Sequence, residues 1–144
     1  MLVEEIDYAR LTAYIDGEGT IAIAKQPVKK GRVSNSYRLL MMVSNTEKKL
    51  PNWCKAHFGG SVHTSRNDVR PGRKKLYQWV IGTHDSAKLL EKIKPYLIIK
   101  RDQAELGLEF YEKCIKRHPS GKRVPLWLAK QREEYFERMK ELHE

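Results

Sequence analysis

The segment at residues 11–19, Leu-Thr-Ala-Tyr-Ile-Asp-Gly-Glu-Gly, constrains the fold more than any other part of the chain. Apolar residues lead into Asp16 and Glu18, and a glycine follows each acidic residue. The pattern predicts a helix over residues 6–16 that ends at Gly17, because glycine tolerates the backbone conformations in which helices end. Glu18 is then held at the helix end between two glycines, where its carboxylate suits a hard divalent cation. The alternative is an ordinary helix terminus with a solvated glutamate.

This segment resembles the signature motif of the LAGLIDADG homing endonucleases. The first leucine, the first glycine and the apolar pair of that motif correspond to Leu11, Ala13, Tyr14 and Ile15. Residues 16–19 match its acidic end. Thr12 and Tyr14 depart from the family pattern, and Glu18 replaces the commoner aspartate with a side chain about 1.5 Å longer. In the family the first acidic residue shapes the motif end, so Asp16 is expected to have a structural role.

Charge and cysteine content narrow the class of partner. The chain has 144 residues and a net charge of +10. This excess favours a polyanionic partner, most often nucleic acid, over a basic surface without a partner. Cys54 and Cys114 are too few for a disulfide framework or a zinc site, so we expect a reducing intracellular compartment, either cytoplasmic or organellar. The sequence has no signal-peptide pattern and no run of roughly 20 apolar residues, so we expect no membrane partner.

The remaining chain alternates predicted hairpins and helices. We expect strands at 20–26 and 37–44, a helix from 46 or 48 to 57, strands at 61–66 and 75–83, and helices at 85–94, 101–117 and 125–142. Thr46 and Asp85 are the candidate N-caps of two helices. The order α-β-β-α-β-β-α is that of the LAGLIDADG fold, so the resemblance implies one α+β domain over residues 1–144. Its antiparallel sheet forms a saddle, and extra helices follow at the C-terminus.

Strand alternation gives the predicted sheet two different faces. The face assigned to the core carries Ile21, Ile23, Tyr37, Leu39, Met41, Val43, Tyr77, Trp79 and Ile81. The opposite face has polar and basic ends around an apolar centre, and both hairpin tips are basic. Such a face suits the major groove of DNA, and the alternative is an ordinary solvated sheet with charged edges. The residues expected to contact DNA are Gln26, Lys30, Arg32, Ser36, Arg38, His63, Ser65, Arg66, Arg70, Arg73, Lys75 and Gln78.

Two further segments resemble family segments near the active site. Asn45 falls where the family carries a polar residue that orders water, and Lys49 falls where it can carry a basic residue. Residues 95–106 resemble the family pattern Pro-aromatic-Leu-x-x-Lys-x-x-Gln-Ala, in which Lys100 matches the active-site lysine. The alternative interpretation of Asn45 is a turn or cap residue, and that of Lys49 and Lys100 is an ordinary solvated lysine. The resemblance implies that Glu18, Asn45, Lys49 and Lys100 are the catalytic residues.

The resemblance also implies a metal and a dimer. Mg²⁺ would bind the Glu18 carboxylate and the Gly17 carbonyl, because a divalent ion activates water and stabilises the leaving oxygen of a phosphodiester. A single motif per chain implies a homodimer in which the two motif helices pack together. The predicted interface residues are Leu11, Thr12, Ala13 and Ile15.

These expectations describe an intron-encoded, homodimeric endonuclease that cuts both strands of a long, near-palindromic DNA target. In this family the cut crosses a minor groove and leaves short 3′ overhangs. Two alternatives stay open. One is a maturase that helps an intron RNA to fold, and the other is a DNA-binding module that has lost catalysis. Retention of Glu18, Asn45 and Lys100 favours the enzyme over the inactive module.

Overall fold

Five α-helices and four β-strands make up the computed structural model, which describes residues 2–27, 35–64, 74–118 and 123–144. The helices are α1 (Glu5–Glu18), α2 (Lys49–Phe58), α3 (Thr83–Ile93), α4 (Arg101–Phe110) and α5 (Leu126–Leu142). The strands are β1 (Gly19–Gln26), β2 (Ser36–Asn45), β3 (Ser61–Thr64) and β4 (Tyr77–Ile81). A 3₁₀ turn at Lys94–Tyr96 follows α3, and a π-helical turn at Tyr111–Ile115 follows α4. The predicted order α-β-β-α-β-β-α is confirmed.

The sheet is antiparallel with strand order β1-β2-β4-β3, so the two predicted hairpins join through β2 and β4. Burial alternates along the long strands because successive side chains point to opposite faces. On the core face Ile21, Leu39 and Trp79 are fully buried, whereas Ala22, Leu40 and Val80, which follow them on the opposite face, are half-buried. The face predicted to be open is therefore the open face. The predicted strand ends at residues 65 and 66 lie outside the described residues.

The helices that cover the core face approach the sheet closely. α1 contacts β1 and β2, and α3 and α4 each contact the sheet and each other. Gly107 lets α4 come near β2, because a Cβ at that position would lie 2.8 Å from Leu39 Cδ1. The core that results includes Leu90 and Phe110, both fully buried.

The end of α1 uses its two glycines differently from the prediction. Gly17 lies inside the helix, and Gly19 is extended with φ −93° and ψ 178°, so neither adopts a left-handed conformation. Gly19 is required by close packing instead, since a Cβ there would lie 2.7 Å from Ile15 Cα and 3.0 Å from the carbonyl oxygen of Met42. Among the described residues, positive φ angles occur at the two glycines between α2 and β3.

Both predicted helix caps are wrong. α2 begins after Lys48 and α3 begins after Gly82. The carboxylate of Glu47, and not the hydroxyl of Thr46, accepts a hydrogen bond from a first-turn amide of α2. Asp85 lies within the first turn of α3, where its charge favours the positive end of the helix dipole.

The C-terminal helix α5 packs beside the edge strand β1. Glu133 accepts a hydrogen bond from Lys25 Nζ at 3.0 Å and another from the hydroxyl of Tyr37. Burial, and then the bond to Glu133, raise the pKa of Tyr37 to about 12. Arg132 is buried and donates two hydrogen bonds to the Cys114 carbonyl oxygen, at 3.0 and 2.8 Å. No helix in the described ranges has the length and apolar character needed to cross a membrane.

Candidate active site and nucleic-acid face

The carboxylate of Glu18 lies at the junction of a helix and a strand. Glu18 is the last residue of α1, and Gly19 is the first of β1. Asn45 ends the neighbouring strand β2, and its Nδ2 donates a hydrogen bond to Glu18 Oε2 at 3.0 Å. Its Oδ1 accepts the backbone N–H of Glu47 at 2.8 Å, which fixes the orientation of the amide. Asn45 therefore serves both as a turn residue and as a partner of Glu18, so its two interpretations are compatible.

Lys100 is held against the C-terminal end of α1. Its ammonium donates hydrogen bonds to the carbonyl oxygens of Ile15, at 2.8 Å, and Asp16, at 3.0 Å. The last carbonyls of a helix have no partners within it, and the helix dipole there favours a cation. Lys100 is thus a partly buried side chain bonded to the last turn of α1, which also contains Glu18, and not a freely solvated lysine.

Asp16 makes the contacts that sequence reasoning did not foresee. Its carboxylate accepts the backbone N–H groups of Ile98 at 2.9 Å, Ile99 at 3.1 Å and Lys100 at 3.0 Å. The expected structural role of Asp16 thus takes a specific form, since it holds the segment that carries Lys100. The partners are more than 80 residues apart in sequence, so no local pattern signals the contact.

Lys49 is less closely tied to this group. It is the first residue of α2 and is exposed. Its backbone N–H donates to Glu47 Oε1 at 3.3 Å, but no hydrogen bond or ion pair of its ammonium occurs within the described part of the chain. The structure therefore brings Glu18, Asn45 and Lys100 together, and a catalytic role for Lys49 stays a prediction.

The cysteine thiols are unsuited to act as nucleophiles. Cys54 and Cys114 are both buried and free. Burial raises the pKa of Cys54 to about 12 and that of Cys114 to about 11, so both thiols are protonated near neutral pH. Within the described ranges no three acidic, histidine or cysteine side chains cluster as a metal site. A metal at the end of α1 would therefore need backbone, solvent or substrate oxygens beside Glu18.

The open face of the sheet is arranged in rows of side chains across the strands. One end row joins Ser44, Gln78 and His63, and the other joins Gln26 and Ser36. The rows between them contain Ala22, Ala24, Leu40, Met42 and Val80, all half-buried, together with Thr20, Ser61 and Arg38. The face thus has polar ends and a mostly apolar centre.

Several predicted DNA contacts can be located on or near this face. Gln78 Nε2 donates to Ser44 Oγ at 3.2 Å, and His63 Nε2 lies 2.9 Å from Ser61 Oγ. Arg38 is exposed and extends toward the end of β4. Lys75 is exposed just before β4, outside the strand itself. Those that lie outside the described residues are Lys30, Arg32, Ser65, Arg66, Arg70 and Arg73.

The predicted dimer interface is wrong for three of its four residues. Leu11, Thr12 and Ile15 are 0%, 3% and 0% exposed and pack inside this chain. The Thr12 hydroxyl also donates to the Tyr8 carbonyl oxygen at 2.7 Å. Ala13 is exposed, because a rotation of about 100° per residue separates it from that buried face.

The exposed face of α1 is a different stripe. It consists of Ile6, Arg10, Ala13 and Gly17, which follow one another at helical spacings. Ile6 is 58% exposed, and no atom lies within 4 Å of a Cβ built on Gly17. This stripe, together with the partly exposed Tyr14, is an open surface of small and apolar residues that is interrupted by the charged Arg10.

Comparisons with protein-family models and with curated proteins found no match to this sequence. Solved structures do share its fold. The homing endonuclease I-CvuI, in complex with its target, has a TM-score of 0.67 at 19% identity, over 94% of this chain and 96% of that chain. The archaeal intron-encoded homing endonuclease I-Vdi141I, complexed with DNA, has a TM-score of 0.78 at 14% identity, over 99% and 87%.

A third structure belongs to a longer chain, of which only part matches this protein. The I-SmaMI LAGLIDADG homing endonuclease, bound to cleaved DNA, has a TM-score of 0.66 at 20% identity, over 96% of this chain but 43% of that chain. All these identities are low, so the likeness concerns the fold. In this chain the fold is a four-stranded antiparallel sheet with helices on one face, and α1 runs directly into β1. This chain therefore has the fold of the LAGLIDADG homing endonucleases.

Proposed function

We propose that the chain is a homodimeric, site-specific endonuclease that hydrolyses both strands of a long, near-palindromic DNA target with the help of a divalent metal. One observation carries the proposal: Glu18, Asn45 and Lys100 converge at the end of α1, beside the row of Ser44 and Gln78 on the open face. A carboxylate, an amide and a cation thus adjoin a sheet face whose Gln and Arg side chains suit the edges of DNA bases.

The side chains at this site match the needs of phosphodiester hydrolysis. The reaction places negative charge on the phosphate and on the leaving 3′ oxygen. The ammonium of Lys100, which is already fixed by two carbonyl oxygens, can stabilise that charge with little rearrangement. The Nδ2 of Asn45 can orient a water molecule, because its amide is fixed by Glu47. Water is the nucleophile in this proposal, since both cysteine thiols are buried and protonated.

The donor set at the end of α1 fits Mg²⁺. In phosphate sites this ion commonly uses one or two carboxylates, with phosphate oxygens and waters as its other ligands. Glu18 offers an exposed carboxylate. Lys100 occupies the carbonyls of Ile15 and Asp16, and the Gly17 carbonyl follows them in the same helical turn. When bound, the metal supplies a Lewis acid that activates water and stabilises the leaving oxygen. I-CvuI has been solved with its target in the presence of Ca.

The open face would read one half of the target. Side-chain rows on a strand are about 7 Å apart, which is the rise of about two base pairs. The described rows run from Gln26 and Ser36 to Ser44 and Gln78, so they span about eight base pairs. Gln and Arg side chains suit adenine and guanine edges, while apolar side chains suit the thymine methyl group. We therefore propose that the apolar centre, around Leu40 and Met42, favours thymine.

A homodimer is proposed because one chain carries one motif and one open stripe on α1. Exposed small residues let two helices approach closely, and Gly17 has free space around it. A two-fold interface uses the same patch on both subunits, so the Ala13 stripe would meet its own copy. The matched part of I-SmaMI is 43% of that chain, which agrees with this chain being one half of a two-part nuclease.

The proposal is tested by selecting cleaved sites from a randomised plasmid library, with Glu18→Gln as the inactive variant. The glutamine keeps the shape of the side chain but removes the charged metal ligand. Cleavage should fall by several orders of magnitude while DNA affinity stays near that of the wild type. Glu134→Gln, an exposed charge removal on α5, is the matched control and should cleave normally. Full nicking activity in Glu18→Gln would contradict the assignment.

The same assay separates the two alternatives. An inactive DNA-binding module would retain sequence-specific DNA affinity but give no cleaved sites with Mg²⁺ or Mn²⁺. A maturase would bind a structured intron RNA more tightly than DNA under equal salt. Either result would replace the endonuclease proposal.

A further inference from the structure

We propose that Asp16 is the positioning residue for Lys100, so that the first acidic residue of the motif sets the reactivity of a lysine more than 80 residues away. The inference rests on the proposed function, in which Lys100 stabilises charge during cleavage. Three backbone N–H groups of residues 98–100 converge on the Asp16 carboxylate. The Lys100 ammonium then returns to the carbonyl oxygens of Ile15 and Asp16. These five hydrogen bonds form a closed clamp between α1 and the start of α4.

The clamp matters because the segment has little packing of its own. Ile98 is 87% exposed and Ile99 is 69% exposed, so neither side chain anchors the backbone to the core. The nearest buried residues are Leu97 before the segment and Ala104 inside α4. Between them, the Ala104 N–H donates to the Lys100 carbonyl oxygen at 3.0 Å, and the described bonds of the N–H groups of residues 98–100 all go to Asp16.

The two halves of the clamp have different chemical roles. The Asp16 carboxylate holds the backbone of Lys100, whereas the α1 carbonyls hold its ammonium. Without Asp16 the three N–H groups can turn to water, because they belong to an exposed loop. The fold would then persist while the ammonium lost its defined position relative to Glu18. A displacement of about 1 Å at a reacting group can slow a reaction by about 100-fold.

A double-mutant cycle tests this role. It uses single-turnover cleavage at saturating DNA with the wild type, Asp16→Asn, Lys100→Ala and the double variant. Asp16→Asn should slow cleavage about tenfold or more, with DNA affinity changed by less than about twofold. In the Lys100→Ala background the same change should slow cleavage by less than about twofold, because Asp16 then has no lysine to position. Asp102→Asn, which removes an exposed charge in the first turn of α4, is the matched control and should change neither quantity.

A purely structural role predicts a different result. If Asp16→Asn slowed cleavage by the same factor in both backgrounds, the positioning role would be overturned. If Lys100→Ala left the cleavage rate unchanged, the proposed role of Lys100 in cleavage would be contradicted, and the positioning role of Asp16 with it. Amide hydrogen exchange separates these cases without any reference to activity. The amides of residues 98–100 should be protected in the wild type and in Lys100→Ala and should exchange faster in Asp16→Asn. Unchanged exchange in Asp16→Asn would refute the clamp itself.

Asp16→Glu provides a second variant if Asp16→Asn folds poorly. It keeps the negative charge and both acceptor oxygens on a longer side chain. It should restore much of the amide protection and an intermediate cleavage rate. A Glu variant that cleaved as slowly as the Asn variant, despite restored protection, would also contradict the inference.

Discussion

The end of α1 and the open face of the sheet contrast in how their polar groups are used. At the end of α1, Asp16, Glu18, Asn45 and Lys100 are hydrogen-bonded to one another or to nearby backbone. On the open face, Gln78 donates a hydrogen bond to Ser44 and His63 Nε2 lies 2.9 Å from Ser61 Oγ, while the Arg38 side chain is exposed. The end of α1 is organised by long-range bonds around Glu18, and the open face presents polar side chains such as those of Arg38 and Gln78 along the strands. Groups that stabilise a transition state gain from such prior organisation, whereas groups that read a sequence must stay available.

The contrast predicts that changes at the end of α1 alter the rate of cleavage and not the affinity for DNA. Lys100→Ala should slow single-turnover cleavage by about 10²–10³-fold, the usual cost of losing one preorganised charge-stabilising group. Its DNA dissociation constant should stay near that of the wild type. Binding and cleavage assays on the same substrate give both numbers. Loss of affinity alone would assign Lys100 to the binding surface and break the contrast.

The exposed stripe on α1 reaches the catalytic end of the helix at Gly17, and its role in dimerisation can be tested by overpacking it at Ala13. Ala13→Phe would insert a large side chain into a close helix contact, which typically costs about 1–3 kcal/mol at each copy. The two-fold dimer should therefore weaken by about 100-fold or more, since the contact occurs twice. Ala56→Phe, at an exposed alanine on α2, is the control and should leave the dimer intact. Sedimentation velocity over a concentration series measures the change. A wild-type monomer that still made double-strand breaks would contradict the dimer.

Substitutions at the two glycines of the motif test whether close packing requires glycine at each position. Gly19→Ala should destabilise the fold by about 1–3 kcal/mol, because the new Cβ would meet the backbone of Ile15 and Met42. Gly17→Ala should stabilise the isolated chain by up to about 1 kcal/mol, since alanine favours helix and the site is open. Urea denaturation, at protein concentrations below the dissociation constant of the dimer, measures the free energy of unfolding of both variants. Equal effects of the two substitutions would show that this close packing is not what requires Gly19.

Changes on the open face should have the opposite signature from those at α1. Arg38→Ala and Gln78→Ala should alter the preferred base at particular positions, with about 1–3 kcal/mol at stake for each bidentate contact. The rate of cleavage on the best site should change little. Lys88→Ala, an exposed charge removal on α3, is the control for net charge. Sequencing the sites cleaved from a randomised library measures the base preference at each position for each variant. An unchanged profile for Arg38→Ala would remove it from the set of base contacts.

Local patterns made the element order and the strand faces predictable, whereas Asn45 and Lys100 were expected beside Glu18 only because their segments resemble family segments. Alternation along β2, for example, separates Leu39 and Met41 from Arg38 without any tertiary information. The clamp was not predictable, because Asp16 meets the backbone of Ile98 through the packing of α1 against the segment before α4. The interface prediction failed because Leu11 and Ile15 were assigned from the motif alone. Leu11 and Ile15 lie on the same helix face as half-buried Tyr8 and buried Thr12, and this shared spacing directs them toward the core.

The smallest predicted effect concerns the apolar centre of the open face. Leu40 and Met42 are half-buried there, and their rows also include Ala22 and Val80. If they contact thymine methyl groups, replacing one thymine of the target by deoxyuridine removes that contact and keeps every hydrogen-bonding group of the base. The expected loss is about 0.8 kcal/mol per methyl, or about fourfold in affinity. Substitution of each thymine in turn would locate the sensitive positions.

A matched variant makes the methyl prediction specific. Leu40→Ala should abolish the difference between thymine and deoxyuridine at one position of each half-site, because the alanine side chain is too short to reach the methyl. Gln78→Ala should leave that difference intact, since Gln78 lies in the polar end row. If deoxyuridine were tolerated equally at every position, the apolar centre would be a spacer between two reading rows. The open face would then read DNA through its two polar end rows alone. The cleaved sites would in that case be selective mainly at the base pairs that face those rows, and not at the base pairs between them.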